Sequence, residues 1–413
     1  MTVDTSAKSP HLIEAPGFSV SAEAILPDLV SLRRSIHADP EIGLEVPRTQ
    51  RRVLDALEGL GLEITTGTAT TSVVAVLRGA LPGPTVLLRG DTDALPIGED
   101  TGLEYAAVNG NMHACGHDIH TAALVGAAHL LAGRRDSLAG NVLFMFQPGE
   151  EGFGGAKVMI DEGVLTAAGQ RPIAAYALHV GPGPRGLIAT RPGTVMAGSS
   201  NLRVTVCGRG GHGSQPHNAV DPVPVAAEIV LALQTFVTRR LDVFDPAVIT
   251  VTQLSTGEGA INVIADQVKL GATVRTMSAA ALDLLRNEVP PMIDKIASAH
   301  NCTAETSFDA GYPALVNDST VTSKALDVLR DVFGEGRVHI AGKPAMSSED
   351  FSYVLDEIPG TYFFLLASPP ASKAAGETAH SPRVVFDDSV LSDGATALAE
   401  LAWATLGDTA LEK

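Results

Sequence analysis

Cysteine is scarce in this 413-residue chain, which has three copies, Cys115, Cys207 and Cys302, at widely separated positions. An odd number of widely spaced cysteines excludes a framework of structural disulfides. We therefore expect a reduced, cytoplasmic protein. Long apolar runs are also missing, because glycine or charged residues interrupt the longest hydrophobic stretches. The sequence accordingly predicts no membrane-spanning segment.

Positive charge is in deficit as well. The chain has 29 lysine and arginine residues against 47 aspartate and glutamate residues, a net charge of −18. This balance argues against nucleic acid or an anionic membrane as the main partner. Residues 1–20 lack both the basic start and the apolar block of a secretory signal, and we predict that they form a disordered tail.

Short apolar runs alternate with helical segments in the first half of the chain. They read SVVAVLRG, TVLLRGD, NVLFMFQPGEE and AAYALHV. Buried strands that alternate with helices are typical of an α/β fold with a mostly parallel sheet. After Tyr312 the chain returns to this pattern with a helical segment and the run TYFFLLA. We therefore assign residues 21–197 and 312–413 to one α/β domain.

Between these two segments the strands alternate apolar and polar residues, beginning with NLRVTVCG. Such alternation predicts half-exposed strands of an antiparallel sheet. Helices are predicted near residues 222–240 and 279–300, and we expect Pro290 and Pro291 to break or kink the second one. Residues 198–311 are thus predicted to form an inserted, ferredoxin-like α+β domain.

Candidate metal ligands follow several of the predicted strands. The segment MHACGHDIHT places Cys115 and His117 two residues apart, close enough for one loop to hold the same metal centre. A thiolate and an imidazole favour zinc, cobalt, nickel or manganese over calcium or magnesium. We expect Asp118 to cap the helix that begins there. A single histidine is more often an ordinary polar residue than a ligand, so these residues indicate a metal site only when they are taken together.

Two adjacent glutamates, Glu150 and Glu151, follow the strand-forming run in FMFQPGEEG. Adjacent carboxylates in an apolar setting are destabilising unless a cation neutralises one of them. Their side chains point in different directions, so one can bind a metal while the other stays free. A free glutamate beside a metal ion is the general-base arrangement of metallohydrolases. A solvated turn is the competing interpretation of GEEG.

An ordered set of segments resembles the M20 metallopeptidase superfamily. The segments are HADPEIGLE, RGDTDALP, MHACGHDIHTAAL, FQPGEEGFGGAKVMIDEGVL, LHVGP, GRGGHGSQPHNAVDPV, INVIADQVKLGATVRT, MSSEDFSY and AHSPRVVFDD. They span nearly the whole chain from Ile25 onward and are most similar to the aminoacylase, hippurate hydrolase and IAA-amino acid hydrolase branch. The resemblance implies metal-dependent hydrolysis of N-acyl amino acids, with two divalent ions in each subunit.

The resemblance also implies roles for individual residues. It makes Glu150 the general base and Asp93 a carboxylate that supports the metal centre. Asp91 stands where many relatives have a ligand histidine, so a contribution from Asp91 to metal binding stays open. Glu349 and His37 are implied to support the site structurally. The implied ligands of two zinc, manganese, cobalt or nickel ions are Cys115, His117, Glu151, His179 and His380.

The inserted domain resembles the lid, or dimerisation, domain of that family. The resemblance implies that His212 reaches the substrate carbonyl, from the same or the partner subunit, and that Asn262 and Arg275 lie near the substrate. We expect a homodimer or higher homo-oligomer that forms through the lid. For His217, a supporting role and a plain surface position are equally compatible with the sequence. Two further histidines of the motifs receive no role: His113 and His120.

One segment resembles a dinucleotide-binding loop in its glycine spacing. GRGGHG, residues 208–213, follows a predicted strand and fits the G-x-G-x-x-G pattern. The prolines of the next segment, SQPHNAVDP, delay the following helix, so its N-terminus is too far away to hold a pyrophosphate. An NAD-dependent oxidoreductase is therefore disfavoured. The predicted function is a metal-dependent amidohydrolase acting on a small molecule; the alternatives are an M20-type peptidase or dipeptidase and a catalytically silent metal-binding relative.

Overall fold

A computed structural model describes residues 17–369 and 377–411 of the chain. The α-helices in these ranges are α1 (Phe18–His37), α2 (Pro47–Leu57), α3 (His117–Ala132), α4 (Gly155–Asp161), α5 (Pro222–Arg240), α6 (Ala279–Ala299), α7 (Ser319–Phe333), α8 (Ser352–Glu357) and α9 (Val390–Leu411). The strands are β1 (Glu63–Thr66), β2 (Val73–Arg78), β3 (Leu81–Asp91), β4 (Ala139–Gln147), β5 (Ala174–Pro184), β6 (Ile188–Thr190), β7 (Gly193–Met196), β8 (Gly198–Cys207), β9 (Gly211–His212), β10 (Ala247–Ser255), β11 (Val263–Ile264), β12 (Gln267–Thr276), β13 (Thr303–Ala310), β14 (Leu315–Asn317), β15 (Val338–Ile340) and β16 (Gly360–Ser368).

The larger sheet has eight strands in the order β1-β2-β4-β3-β5-β16-β6-β15. Its four central strands, from β4 to β16, are parallel to one another, and antiparallel pairs occur on either side of them. One apolar core joins one face of the sheet to α1, α3, α7 and α9, and a second core joins the other face to α4 and α8. Buried on both faces, the central strands are almost continuously apolar, as the sequence predicted. This confirms the α/β fold with a mostly parallel sheet.

The second sheet has four antiparallel strands in the order β10-β12-β8-β13. Helices α5 and α6 pack on one face of it around a separate apolar core. In chain order the unit reads βαββαβ, which is the ferredoxin-like arrangement, and it confirms the predicted α+β fold. Strand β8 begins at Gly198 and strand β13 ends at Ala310. The predicted domain limits, 197/198 and 311/312, remain a prediction.

Helix α1 begins at Phe18, so the predicted tail is too long at its C-terminal end. Phe18 is 1% exposed, and the edge of its ring contacts Trp403 with 5.6 Å between ring centroids. This aromatic contact explains why residues 18–20 are helical instead of disordered. Residues 1–16 lie outside the described residues.

Of the break or kink expected at Pro290 and Pro291, the break is wrong, since α6 continues through both residues, and the kink stays a prediction. A proline inside a helix removes one main-chain hydrogen bond. Here the residues on either side, including Leu285, Val289 and Ile293, are fully buried in the core of the second sheet. Packing of this face outweighs the loss. Within the described residues, no helix has the length and apolar character needed to cross a membrane.

Candidate metal centre

The candidate ligands lie at one edge of the larger sheet, where the parallel strands β3, β4 and β5 end. Asp91 is the last residue of β3, and the Glu150–Glu151 pair follows the end of β4. His179 lies in the second half of β5, and His117 is the first residue of α3. Because the carboxyl ends of parallel strands meet at one edge of a sheet, residues distant in sequence converge there.

Gly116 forms the sharp turn between Cys115 and His117. Its φ of 88° lies in the left-handed region, which side chains other than glycine rarely adopt. A Cβ atom at this position would lie 2.3 Å from Cγ2 of Val180. The turn therefore requires glycine, and it brings both flanking side chains into the same ligand group with His179.

Five side chains offer sulfur, nitrogen and oxygen donors to one another at short range. The Cys115 Sγ atom lies 3.3 Å from Nε2 of His179 and 3.3 Å from Nε2 of His380. The His380 Nε2 atom also lies 3.3 Å from Oε1 of Glu151. Within this set of five, two donor triplets have all their ligand atoms within 4.8 Å of one another: Cys115, His117 and His179, and Cys115, Glu151 and His380. Cys115 belongs to both triplets, so the two groups of candidate ligands adjoin at its sulfur atom.

The hydrogen bonds of the histidines leave the converging nitrogens free to bind a cation. His117 donates from Nδ1 to the carbonyl of Asp93 at 2.9 Å, and His179 donates from Nδ1 to the carbonyl of Val180 at 2.6 Å. When these rings are neutral, as ligand histidines are, their Nε2 atoms carry the lone pairs. His117 Nε2 and Glu151 Oε1 are buried and have no hydrogen-bond partner among the described residues. Buried polar atoms without partners are rare, and divalent cations fit these donors.

His380 comes to this centre from the segment after β16. Its φ of 68° lies in the left-handed region, which is uncommon for histidine. Its main-chain N–H donates to the carbonyl of Ala114 at 3.0 Å, which ties it to the turn that carries Cys115. Strained backbone of this kind is frequent at functional sites, where surrounding contacts hold it.

Asp93 positions the two glutamates through their main chain. Its Oδ1 accepts the N–H of Glu150 at 3.0 Å, and its Oδ2 accepts the N–H of Glu151 at 3.0 Å. Glu150 is 6% exposed. Burial raises the pKa of Glu150 well above its ordinary value, and the nearby carboxylates of Glu349 and Asp350 raise it further. A basic carboxylate thus lies beside the candidate ligands.

Arg89 is a residue of the site that sequence reasoning missed. It is 1% exposed and donates to three carboxylates, Asp91 at 2.7 Å, Glu349 at 2.9 Å and Asp350 at 3.0 Å. Its Nε also donates to Gln147 Oε1 at 2.8 Å. The signal was present in TVLLRGD, because an arginine inside a buried strand requires acidic partners. These contacts place Glu349 beside the candidate centre, and its supporting role stays a prediction.

Both carboxylate oxygens of Asp91 and both ring nitrogens of His120 are hydrogen-bonded, and the two residues also form a donor triplet with His117. Asp91 Oδ2 accepts from Arg89, and Asp91 Oδ1 accepts from His120 Nδ1 at 2.6 Å. His120 Nε2 accepts the main-chain N–H of Val180 at 2.8 Å. Both nitrogens of His120 are therefore used. The pKa of Asp91 is lowered well below its ordinary value, because Arg89, His117 and His120 outweigh the effect of burial. These contacts favour a supporting role for Asp91 over a ligand role.

Asp118 does not cap α3, which begins after Gly116 without a side-chain cap. Its Oδ2 instead forms a hydrogen bond with His37 Nδ1 and an ion pair with Arg33 Nε, both at 2.7 Å. His37 also contacts Glu99 Oε1 at 3.1 Å through Nε2. His113 lies nearby, 1% exposed, and neither ring nitrogen has a hydrogen-bond partner within the described ranges. Burial lowers the pKa of His113 to about 3.

The three lid residues lie apart from the ligands. His212 is exposed in β9, where its Nδ1 accepts from Ser214 Oγ at 2.8 Å. The carbonyl of Asn262, next to the strand that pairs with β9, accepts from Gly213 N at 2.7 Å. Arg275 donates to Ser199 Oγ at 2.9 Å. His217 is exposed in the loop after β9, which leaves its supporting role without a contact to the centre.

A cavity of about 450 Å³ opens over the centre. Its polar wall carries Cys115, Glu150, Glu151, His179, Glu349 and His380. Its apolar wall includes Met196, Phe364 and Leu366. Its walls, as the structure describes them, do not include His212, Asn262 or Arg275. An apolar cleft with a few convergent polar groups is the usual form of a small-molecule site.

Comparison with known proteins gives a consistent result. Residues 87–404 match the sequence profile of peptidase family M20/M25/M40. Thermostable carboxypeptidase 1 of Saccharolobus solfataricus is 35% identical over 380 residues, which are 91% of this chain and 94% of that protein. IAA-amino acid hydrolase ILR1-like 2 of Arabidopsis thaliana is 36% identical over 405 residues, which are 97% of this chain and 89% of that protein.

A solved structure shares the arrangement of the whole chain. The Bacillus subtilis YXEP protein, described as a dinuclear metal-binding peptidase from the M20 family, superimposes with a TM-score of 0.80 at 30% identity. The match covers 94% of this chain and 99% of that one.

Proposed function

This chain belongs to the M20 family of peptidases and is a hydrolase that acts on amides, and from that premise we propose that it cleaves N-acyl amino acids with Glu150 as the general base. The observation that carries the proposal is the position of Glu150, a buried carboxylate adjacent to the ligand Glu151 and at the wall of the cavity. The two neighbouring carboxylates have opposite pKa shifts, raised for Glu150 and lowered for Glu151, which supports different roles for them.

Two divalent ions of zinc, manganese, cobalt or nickel would be held by the ligands Cys115, His117, Glu151, His179 and His380. When bound, such ions supply Lewis acidity that activates water and polarises the amide carbonyl. Asp93 keeps the Glu151 main chain in place for this binding. Asp91 acts through His120, and not as a ligand.

Glu150 performs the proton transfers in this proposal. Its raised pKa makes the carboxylate a stronger base than an exposed glutamate. It takes a proton from the attacking water and then gives that proton to the nitrogen of the leaving amine. One carboxylate thereby serves as base and acid in turn, and the amide bond is exchanged for a carboxylate and an amine.

Arg275 is suited to the carboxylate of an N-acyl amino acid. Its Nη1 donates to three neutral oxygens, of Ser199, Thr273 and Val274. Burial alone lowers its pKa, and no ion pair to it occurs among the described residues. A half-buried cation without a counter-ion favours an anionic ligand. Since Arg275 and His212 lie outside the cavity wall, they reach the substrate through closure of the lid or from a second subunit.

The apolar wall of the cavity faces the remaining part of the substrate. Met196, Phe364 and Leu366 offer a hydrophobic surface beside His179. Such a surface favours a substrate with a sizeable apolar acyl group or side chain. A peptidase is the second candidate, because one similar protein is named a carboxypeptidase. The two candidate functions would use the same residues of the centre. They differ only in the acyl portion of the substrate that the enzyme accepts.

Glu150→Gln tests the proposal. After reconstitution with each metal in turn, the wild-type protein is expected to hydrolyse members of a panel of N-acyl amino acids and dipeptides. Glu150→Gln should keep the metals and lose about 100-fold or more in kcat. The matched variant Glu151→Gln should lose metal affinity as well. Near-normal turnover by metal-loaded Glu150→Gln would refute the role of the base, and dipeptides as the better substrates would favour the peptidase.

A further inference from the structure

We propose that Tyr312 is a positioning residue that fixes Glu150 and makes its position depend on the lid. The proposal rests on the proposed function, because it concerns the residue assigned as general base. Tyr312 lies two residues beyond the end of β13, where the chain returns from the second sheet to the larger one.

The hydroxyl of Tyr312 makes two hydrogen bonds to the loop that follows β4. It donates to the main-chain carbonyl of Glu150 at 2.5 Å and accepts the N–H of Gly154 at 3.1 Å. One hydroxyl thus bridges both ends of the five-residue turn from Glu150 to Gly154.

This turn needs such ties because its backbone is permissive. Gly149, Gly152 and Gly154 all have φ in the left-handed region, at 74°, 86° and 67°. Glycine adopts many conformations at little cost, so a glycine-rich turn is not rigid by itself. Asp93 holds the N–H of Glu150, and Tyr312 holds its C=O. The two contacts together fix both peptide groups that flank the base.

The main chain of Tyr312 is attached to the lid. Its carbonyl accepts the N–H of Ser199, the second residue of β8, at 2.8 Å. Ser199 Oγ in turn accepts from Arg275 at 2.9 Å. Arg275, Ser199, Tyr312 and Glu150 are therefore joined by consecutive hydrogen bonds. A movement of the lid that follows capture of an anion by Arg275 would be transmitted to the base.

The surroundings of Tyr312 keep the hydroxyl in place as a donor. Its ring meets the ring of Tyr353 edge to face, with 6.1 Å between centroids. Burial, together with the charges of Asp350 and Glu150, raises the pKa of Tyr312. Tyr353 provides a matched control, because its hydroxyl donates at 3.0 Å to the carbonyl of Gly311, which is adjacent to Tyr312 in the segment after β13. Among the described residues, no hydrogen bond joins the Tyr353 hydroxyl to the Glu150 turn.

Tyr312→Phe keeps the ring and removes only the hydroxyl. We expect kcat of the metal-loaded enzyme to fall by about tenfold to 100-fold, as misplacement of a catalytic group does, with KM changed less than about twofold. Affinity for the metals should stay within about twofold of wild type, and Tyr353→Phe should retain its kcat. Tyr312→Phe and Tyr353→Phe each lose one or more hydrogen bonds, so both should be less stable than wild type. If their melting temperatures are equal, a difference in kcat between them is not caused by a difference in stability.

The link to the lid is tested by a double-mutant cycle with Arg275→Met. If the hydrogen-bonded series transmits lid position, the effects of Tyr312→Phe and Arg275→Met on kcat should depart from additivity by about threefold or more. Additive effects would overturn the link. A kcat of Tyr312→Phe within twofold of wild type, or a loss of metal affinity equal to its loss of kcat, would overturn the positioning role.

Glu150→Gln, measured in the same assays, separates this inference from the proposed function. If Glu150→Gln is active, the assignment of the base fails whatever Tyr312→Phe does. If Glu150→Gln is inactive while Tyr312→Phe and wild type are equal, only the role of Tyr312 fails.

Discussion

The carboxylate of Asp91 and the imidazole of His120 form a buried hydrogen bond of 2.6 Å between Oδ1 and Nδ1. The other nitrogen of His120 accepts the N–H of Val180, whose carbonyl accepts from the candidate ligand His179. Arg89 fixes the second oxygen of Asp91. A series of hydrogen bonds thus leads from a buried arginine to a candidate ligand, and we propose a supporting role for His120.

His120→Ala should weaken metal binding without removing a ligand. Residues that orient ligands typically contribute about tenfold to 100-fold to metal affinity. We expect a decrease of that size, measured by competition with a chromophoric chelator. His129→Ala is a control on the same helix, since its side chain contacts the carbonyl of Ala56 instead of the centre. Unchanged affinity in His120→Ala would contradict the orienting role.

Cys115 should react with iodoacetamide slowly in the metal-free protein and not at all in the metal-bound protein. Burial raises the pKa of its thiol to about 12, so little thiolate is present near neutral pH. The alkylation rate should rise about tenfold per pH unit, because the thiolate is the nucleophile. Mass spectrometry of the peptide that contains Cys115, with Cys207 as the internal reference, follows the reaction. Equal rates with and without metal would exclude Cys115 as a ligand.

Asp118→Asn should destabilise the fold by about 3 kcal/mol at pH 5 to 6, because it leaves Arg33 and His37 without their buried carboxylate. Arg33 and His37 outweigh burial and lower the pKa of Asp118 far below its model-peptide value of 3.8. Asp118 overcomes the effect of burial on His37 and raises the pKa of that ring above 6.5. Stability from the carboxylate is therefore lost as pH falls below 3.8, and stability from the imidazolium is lost as pH rises through its raised pKa.

Chemical denaturation of wild type and Asp118→Asn across pH measures this difference. The difference in the free energy of unfolding should be largest between pH 3.8 and pH 6.5, the ordinary pKa values of Asp118 and His37. It should become smaller as the pH falls below 3.8. Glu63→Gln serves as the control, since the ion pair of Glu63 with Arg78 is solvent-exposed. A difference that stays constant from pH 3 to pH 6 would contradict the ionic origin of the stabilisation.

His212→Ala should reduce kcat while leaving the metals bound, because the imidazole lies outside the donor groups. Mixing His212→Ala with Glu150→Gln tells which subunit supplies it. If His212 acts across a dimer, subunit exchange creates one complete site in each mixed dimer and restores about a quarter of wild-type activity. No recovery after verified exchange shows that His212 acts within its own chain, and full activity of His212→Ala alone would refute the role.

The sequence predicted the two sheets of the fold because the strands of each sheet have their own pattern of apolar and polar residues. Buried parallel strands are continuously apolar, and β8, β10 and β12 alternate because one face of their sheet is open. The path of α6 through Pro290 was not predictable, since it depends on the packing of Val289 and Ile293 against strands that are distant in sequence.

The candidate ligands were found through their motif, whereas their supporting contacts were not. Arg89 is a single charge in an apolar run, and its acidic partners Glu349 and Asp350 lie about 260 residues away. Likewise, the bond between Tyr312 and Glu150 joins residues 162 positions apart. Such contacts follow from three-dimensional proximity, which no local pattern in one sequence encodes.

The candidate metal centre draws on segments from residue 115 to residue 380, and the N–H of His380 donates to the carbonyl of Ala114 in the turn that carries Cys115. A chain that ends at strand β16 holds four of the five candidate ligands and lacks His380. Such a truncated chain would carry the central strands of the fold without the complete set of proposed ligands, and we expect it to bind metal less tightly than the full chain.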